Sequence, residues 1–330
     1  MRLLQAIDEQ GRNAVVVAHG PGTEGRLLPG TTTVHGLATQ AVAEGVTIAD
    51  VVNRSAQGDT VDLAAWLQAR RLRVPIEHPD PAHLLVSGTG LTHLGSAEGR
   101  DRMHRKAAGS EPVSDSMKMF RMGLEGGKPP TGEMGVQPEW FYKGDGQIIA
   151  PPEGDLALPE FALDGGEEPE IAGVYLIGPD GTPCRVGFVL GNEFSDHVTE
   201  RENYLFLAHS KLRACALGPE LLLGDLPRDV HGVSRIRRDG EVLWEKPFLT
   251  GEDNMSHSLA NLEAHHFKYR PFRRPGDIHV HFFGTATLSF SDGVSPRAGD
   301  TFELEADPFA LPLRNTMVAE SGGAPPVRVL

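Results

Sequence analysis

The sequence predicts a β-rich α+β fold with a small N-terminal α/β domain, and three observations carry that expectation. Glycine (39) and proline (25) are abundant in the 330 residues while aromatics make up 6%, a composition that suits many turns between short strands. Helical apolar spacing is concentrated in the first eighty residues. From Ala82 onward the chain reads as short apolar runs broken by turn dipeptides. A small domain over 1–80 and a larger one over 81–330 are therefore expected.

The elements follow in order. Thr33 to Val52 (TVHGLATQAVAEGVTIADVV) and Val61 to Arg71 (VDLAAWLQARR) repeat apolar residues at helical intervals, the second opened by a cap at Asp59 or Thr60 with Asp62 in its first turn. Val74 to Pro81 (VPIEHPDP) is expected to be extended, because a residue before proline is held out of the helical region. Strands then follow at LLVSG, DIHVHFFG and TFELEA, with a hairpin in VSRIRRDGEVLWEKPF around Arg238-Asp239-Gly240. The long polar segment from Gly99 to Gln137 reads as an ordered excursion over a site. Internal repeats are absent.

Composition excludes several functions. Thirty-one basic against 45 acidic residues give a formal charge of −14, with no basic run to track a phosphate backbone, so nucleic acid is excluded as a partner. No stretch approaches the roughly twenty apolar residues of a membrane span. The N-terminal MRLLQAIDEQGR carries acidic residues where a signal peptide has its apolar core, and a cytoplasmic protein is expected. Cys184 and Cys215 lack zinc or redox spacing and read as reduced and structural.

The row GGEEPEIAGVYLIGPDGTPCRVGFVLGNEFSDH holds the most informative pattern. Two apolar runs flank Pro179-Asp180-Gly181-Thr182, a strong turn signal. With Asp180-Gly181 as a two-residue loop, paired positions sum to about 361, so Glu168 faces Glu193 and Glu170 faces Gly191. Glu168 and Glu170, two apart on one strand, then share a face with Glu193 opposite. Three like charges on one patch repel unless a cation sits among them, and an all-oxygen set suits Mg²⁺, Mn²⁺ or Ca²⁺ better than zinc. A solvated acidic strand end is the alternative, and a one-residue slip would turn Glu193 to the other face.

Several smaller signals accompany this one. His279 and His281 share a strand face, which permits either a metal pair or one polar sheet face. Gly88-Thr89-Gly90 follows an apolar strand without the third glycine of a nucleotide-binding turn. No Gly-x-Ser-x-Gly elbow is present. Lys143 and Lys211 sit among apolar or small residues, where a desolvated ammonium can donate to an anionic intermediate or snorkel from a packed stem.

The order of motifs from Ala82 to Met317 resembles the fumarylacetoacetate hydrolase superfamily, metal-dependent enzymes of 2-keto acids and diketones. WFYKGDGQIIAPPEGDLALP is similar to its lysine-bearing strand, EPEIAGVY to its Glu-x-Glu metal strand, and GFVLGNEFSDH to the run carrying its third metal carboxylate. SKLRACALGP is similar to its second lysine segment, and PGDIHVHFFGTATLSFSDGVSPRAGDTFELE with LRNTM to its C-terminal signature. The resemblance implies an FAH-like mixed β-roll, with metal ligands Glu168, Glu170 and Glu193 and functional lysines Lys143 and Lys211. It also implies Thr285 with its neighbour Gly284 at the substrate carboxylate, and a homodimer.

Two departures sharpen this. The His and Glu that activate water in the hydrolases are missing: GTGLTHLGSAEGRD puts Ser96 at the histidine position, with Glu98 nearby. In contrast, GNEFSDHVTERENYLFLAHSK is similar without a gap to the sugar-acid dehydratase branch, which places Glu200, Glu202 and Asn203 near the site and His197 where an arginine is usual. The resemblance thus implies a Mg²⁺-dependent dehydratase (a hydro-lyase) of a 2-keto-3-deoxy sugar acid. Its expected reaction takes 2-keto-3-deoxy-pentonate (arabinonate or xylonate) to 2,5-dioxopentanoate in pentose catabolism. Candidates for proton transfer are Lys143, Lys211, Glu98, Glu200, His93 and His197; substrate contacts fall to Thr285, Gly284, Ser96, His197 and Asn203. The alternatives are a hydrolase splitting a 2,4-diketo-3-deoxy sugar acid into pyruvate and a hydroxy acid, and a noncatalytic sugar-acid binding protein.

Overall fold

A computed structural model describes residues 1–95 and 114–330; Ser96 and Glu98 lie outside the described residues. The strands in chain order begin with β1 (Arg2–Ile7), β2 (Asn13–Ala18), β3 (Glu24–Leu27), β4 (Thr60–Asp62), β5 (Leu84–Gly90) and β6 (Glu139–Asp145). Next come β7 (Ile149–Ala150), β8 (Asp155–Leu158), β9 (Pro169–Ile177), β10 (Pro183–Asn192), β11 (Cys215–Leu217) and β12 (Leu221–Leu222). The last are β13 (Val230–Arg238), β14 (Glu241–Thr250), β15 (Ile278–Phe282), β16 (Thr301–Ala306) and β17 (Leu313–Ala319). One large sheet runs β4-β3-β2-β1-β12-β10-β9-β15-β5-β6, with β11 and β7 off its path, and a second runs β14-β13-β16-β17-β8.

The N-terminal strands continue the large sheet, because β1 pairs antiparallel with β12. Arg2 seals that junction: its guanidinium meets the Glu220 carboxylate, both buried, and donates to Gly20 and Gly22 carbonyls at 2.6 and 2.7 Å. The β9–β10 hairpin lies at the centre with apolar layers on both faces. Ala172, Val174 and Val189 pack toward the N-terminal helices, while Ile171, Phe188 and Leu190 pack toward Ile236, Phe302 and Leu304 of the second sheet. Every residue of β9 is buried, which is why it reads as a continuous apolar run rather than an alternating one.

The expected helix over 33–52 is two helices, α1 (Val34–Glu44) and α2 (Ile48–Arg54). Gly45, left-handed at φ 66°, ends the first, and a Thr47–Asp50 capping box starts the second. In α3 (Leu63–Gln68) the cap is Asp62, whose Oδ1 accepts from Ala64 and Ala65 amides at 2.9 and 3.1 Å. The expected cap at Asp59 or Thr60 is displaced because Thr60 to Asp62 extend as β4 against β3. Further along come α4 (Asp115–Gly126), α5 (His197–Glu202), α6 (Leu207–Lys211) and α7 (Leu259–Phe267).

The two hairpins resolve differently. Asp239 and Gly240, at φ 53° and 87°, close β13–β14 as the expected two-residue turn. At the β9–β10 turn, Gly178 donates to Thr182, Gly181 takes φ 83°, and Pro183 pairs with Ile177, a sum of 360. The loop is therefore one residue longer than expected. A bulge between Arg185 and Gly187 restores the sum of 361, so Gly191 pairs with Glu170 and Asn192 with Pro169. The expected facing of the carboxylates holds at the site because two one-residue offsets cancel.

His279 and His281 are buried on β15 against His266 of α7, with His266 Nε2 3.0 Å from His279 Nδ1 and the His266 and His281 rings stacked. They form a packed polar layer, not a metal pair. Both cysteines are unpaired. Among the described residues, no helix is long and apolar enough to cross a membrane.

Candidate functional site

Glu168 and Glu170 stand at the start of β9, and Glu193 stands just past the end of β10. The Glu193 amide donates to the Glu168 carbonyl at 3.0 Å, extending the ladder one step beyond the strands. One carboxylate oxygen from each of Glu168, Glu170 and Glu193 lies within 4.8 Å of the others, and all three are buried. Strand spacing and the turn predict that meeting, and in the fold the three carboxylates meet.

Two buried lysines hold two of the three. Lys143, on β6, donates to Glu193 and to the carbonyls of Phe194 and Lys211 at 2.6 and 3.1 Å, which uses its three protons. Lys211, the last residue of α6, donates to Glu168, to Glu193 and to Ser195 Oγ, with its Nζ 5.0 Å over the Phe141 ring. Burial disfavours its charge, yet Glu168, Glu193 and Glu200 together hold the Lys211 pKa above the ordinary ammonium value. His197 adds a third cation. Its Nε2 lies 3.1 Å from Glu168 and its Nδ1 3.5 Å from Asp164; burial opposes protonation, but the two carboxylates raise its pKa to about 10. Glu168, although buried, is held low by Lys211 and His197.

Glu170 is the exception. Its hydrogen bond comes from the Gly284 amide at 2.6 Å, and no ion pair reaches it among the described residues. Burial, then Glu193, then Glu168 push its pKa well above the ordinary carboxylate value. A buried cluster of hard oxygens with one uncompensated member fits a divalent cation such as Mg²⁺ and offers nothing to a soft one.

The triad opens into a cavity that gathers most of the residues expected at the site. Glu168, Glu200, His197, Lys211, Gly284 and Thr285 line it. Thr285 Oγ1 accepts from the Thr287 amide at 3.2 Å, which leaves its hydroxyl proton for a ligand. The Gly284 amide, expected at a substrate carboxylate, is committed to Glu170. Lys143 is buried behind Glu193 and does not line the cavity. Asn203 is exposed and caps the following turn, accepting from Leu205 at 3.0 Å. His93 is buried against Thr92 and Thr250, where burial lowers its pKa to about 3. Larger surface grooves, such as the one beside Arg73 and Ile149, contain no buried carboxylate among their lining residues.

Three further residues of the wall, Leu91, Glu139 and Phe141, carry no motif that marks them in the sequence. Glu139, Phe141 and Lys143 alternate along β6 and are all buried on one face, so strand periodicity counted back from Lys143 is the signal that finds the other two. Leu91 holds φ 58°, a left-handed conformation that costs a β-carbon residue on the order of 1 kcal/mol. Nothing in its own residue type signals that.

No protein-family model matches the chain. A curated relative, the probable 2-keto-3-deoxyxylonate dehydratase of Haloferax volcanii, is 29% identical over 121 residues, which is 35% of this chain and 40% of that protein. The match therefore spans less than half of the relative's length. Among solved structures, 2-keto-3-deoxy-D-arabinonate dehydratase complexed with magnesium and 2,5-dioxopentanoate superposes with a TM-score of 0.70 at 17% identity, over 98% of this chain and 100% of that one. The fold is that of the fumarylacetoacetate hydrolase superfamily. A second structure with this superfamily fold, 2-hydroxyhepta-2,4-diene-1,7-dioate isomerase from Mycobacterium marinum, superposes at 0.58 with 17% identity and the same coverage.

Proposed function

We propose that the protein is a Mg²⁺-dependent dehydratase of a 2-keto-3-deoxy sugar acid, with 2-keto-3-deoxy-pentonate as substrate and 2,5-dioxopentanoate as product. The observation that carries this reading is the buried triad of Glu168, Glu170 and Glu193 opening on a cavity whose wall also bears Lys211, Thr285 and Glu200. The magnesium-bound dehydratase of the same fold supports the choice of substrate class.

In this reading Glu168, Glu170 and Glu193 hold the metal, with Mn²⁺ or Ca²⁺ as substitutes. When bound, Mg²⁺ supplies a Lewis acid beside the 2-keto group and so acidifies the C3 protons. Lys211 places a permanent positive charge next to the developing oxyanion, in a site from which water is largely excluded. Thr285 donates its hydroxyl to the substrate carboxylate. Glu200 takes a C3 proton; the electron pair left behind forms the C3–C4 double bond as the C4–O bond breaks, and the departing hydroxide leaves as water with one proton. Tautomerisation then yields the terminal aldehyde. Lys143 and His197 act as positioning groups, the first fixing Glu193 and the second Glu168. We place the working enzyme in the cytoplasm as a homodimer, with residues 1–80 as an N-terminal domain.

A screen of 2-keto-3-deoxy acids with and without Mg²⁺ tests the proposal. Magnesium-dependent appearance of a semicarbazide-reactive aldehyde is the expected result. Pyruvate release would instead establish the C–C hydrolase, and ligand-dependent stabilisation without turnover would establish a binding protein.

A further inference from the structure

Glu139 is a second carboxylate on the cavity wall outside the triad, and the dehydration steps give it no task. It opens β6, is buried, and accepts at Oε2 from the Tyr204 hydroxyl at 2.8 Å. Tyr204 belongs to the single turn that follows α5, so the bond ties that segment to β6 across the cavity. The other oxygen, Oε1, lies over Gly90, its register partner on β5. A β-carbon at Gly90 would overlap that oxygen. Gly90 does not hold a positive φ, so what is required of it is space for the Glu139 carboxylate.

An ionised carboxylate accepts hydrogen bonds and donates none, and it can accept about four. A 2-keto acid offers only acceptors at its acid end: the carboxylate and the carbonyl oxygen. Those oxygens belong with the groups that meet them with positive charge or protons, namely the metal triad, Lys211 and Thr285. Beside them Glu139 would repel. The only hydrogen-bond donors on a 2-keto-3-deoxy sugar acid are the hydroxyls beyond C3, and an acceptor-only wall suits that end alone. Glu200 already lies close enough to the Lys211 ammonium to raise its pKa, whereas the bond at Glu139 Oε2 comes from a neutral phenol.

We propose that Glu139, oriented by Tyr204 and given room by Gly90, binds the hydroxyl-bearing end of the substrate and selects hydroxylated 2-keto acids over their deoxy analogues. This rests on the dehydratase reading. It adds a recognition subsite to it.

The test compares two ligands on the Mg²⁺-loaded full-length protein. One is 2-keto-3-deoxy-pentonate, read as kcat/KM, and the other is 2-oxopentanoate, which has the same acid end and no hydroxyl, read as an inhibition constant. Glu139→Gln is expected to lower kcat/KM about 10- to 100-fold, since a site built around a substrate hydroxyl loses much when that bond goes. The inhibition constant of 2-oxopentanoate should move less than about twofold, because the lost bond is one that ligand never makes. Tyr204→Phe, a milder change in a half-buried side chain, should show the same split with a smaller loss. Equal losses on both ligands, or no loss on either, overturn the assignment of Glu139. Wild-type protein that turns over no 2-keto-3-deoxy acid overturns the dehydratase reading and this inference with it, whereas intact wild-type turnover with an unsplit Glu139 variant overturns the inference alone.

Discussion

Lys143 and Glu193 form an ion pair with both side chains sealed from solvent. The lysine's other two protons go to backbone carbonyls of Phe194 and Lys211, so this ammonium is a fixed strut between β6, the strand end at Glu193 and α6. Replacing one member of a buried pair leaves the other charge unpaired, at a cost of roughly 3–5 kcal/mol. Lys143→Met should lose about that much stability in urea unfolding, and should lose activity in proportion to its weakened Mg²⁺ binding. A variant as stable as the parent would show that Glu193 is compensated elsewhere.

Glu170 makes the opposite case. It is buried beside two carboxylates with no cation in ion-pair contact among the described residues, so its charge is a burden on the metal-free protein. Glu170→Gln should leave metal-free stability unchanged or slightly raised while abolishing turnover. In the parent, Mg²⁺ at about 100 times its dissociation constant should stabilise by about 2.7 kcal/mol; in the variant that increment should vanish. Thermal unfolding with and without Mg²⁺ measures both quantities, and a retained Mg²⁺ increment would remove Glu170 from the ligand set.

Much of this site is legible in the sequence, for definable reasons. Side-chain alternation on a strand is local, so the shared face of Glu168 and Glu170 follows from spacing, and the turn signal brings Glu193 opposite. The register at the turn is not legible, because a longer loop and a compensating bulge at Val186 leave the same pairing downstream. Glu139 escapes notice for a different reason. Its place on the wall depends on β5 approaching β6 at a glycine, a long-range pairing that no local pattern records. The break between α1 and α2 is readable in principle from Gly45 and the Thr47–Asp50 box, and the continuous apolar spacing conceals it.

Three histidines packed at β15 and α7 make stability pH-dependent. Burial, reinforced by neighbouring imidazoles, lowers His266 well below its ordinary value and His281 to about 3; burial alone is the main cause at His279, which falls to about 4. A group with a depressed folded pKa is neutral in the native state while the unfolded chain takes up its proton below about pH 6.5. The stability these residues protect is therefore complete above pH 6.5 and is lost as pH falls from there toward 4 and 3. Each contributes a slope approaching about 1.4 kcal/mol per pH unit in that window. His281→Phe, next to the Phe283 ring, should reduce the slope of unfolding free energy between pH 6 and pH 5 by close to one proton. An unchanged slope would mean that His281 stays protonated in the native state.

The junction between β1 and β12 bears on whether residues 1–80 unfold with the rest. Glu220 accepts from Arg2 and from the amides of Ala310 and Leu311 at 2.7 and 2.9 Å, so one carboxylate links the N-terminal strand, the large sheet and the segment leading into β17. Backbone pairing through β1 and β12 adds a continuous sheet across the same boundary. Elements joined by ladder hydrogen bonds and a shared buried charge should unfold together. Trp66 reports on α3 of the N-terminal region, and Trp140 and Trp244 report on β6 and β14, so single-tryptophan variants separate the signals. One coincident transition is expected in each, with Arg2→Met shifting all of them down by roughly 3–5 kcal/mol through the stranded Glu220. An earlier transition seen at Trp66 alone would show instead that the first eighty residues form an independently melting unit despite sharing the sheet.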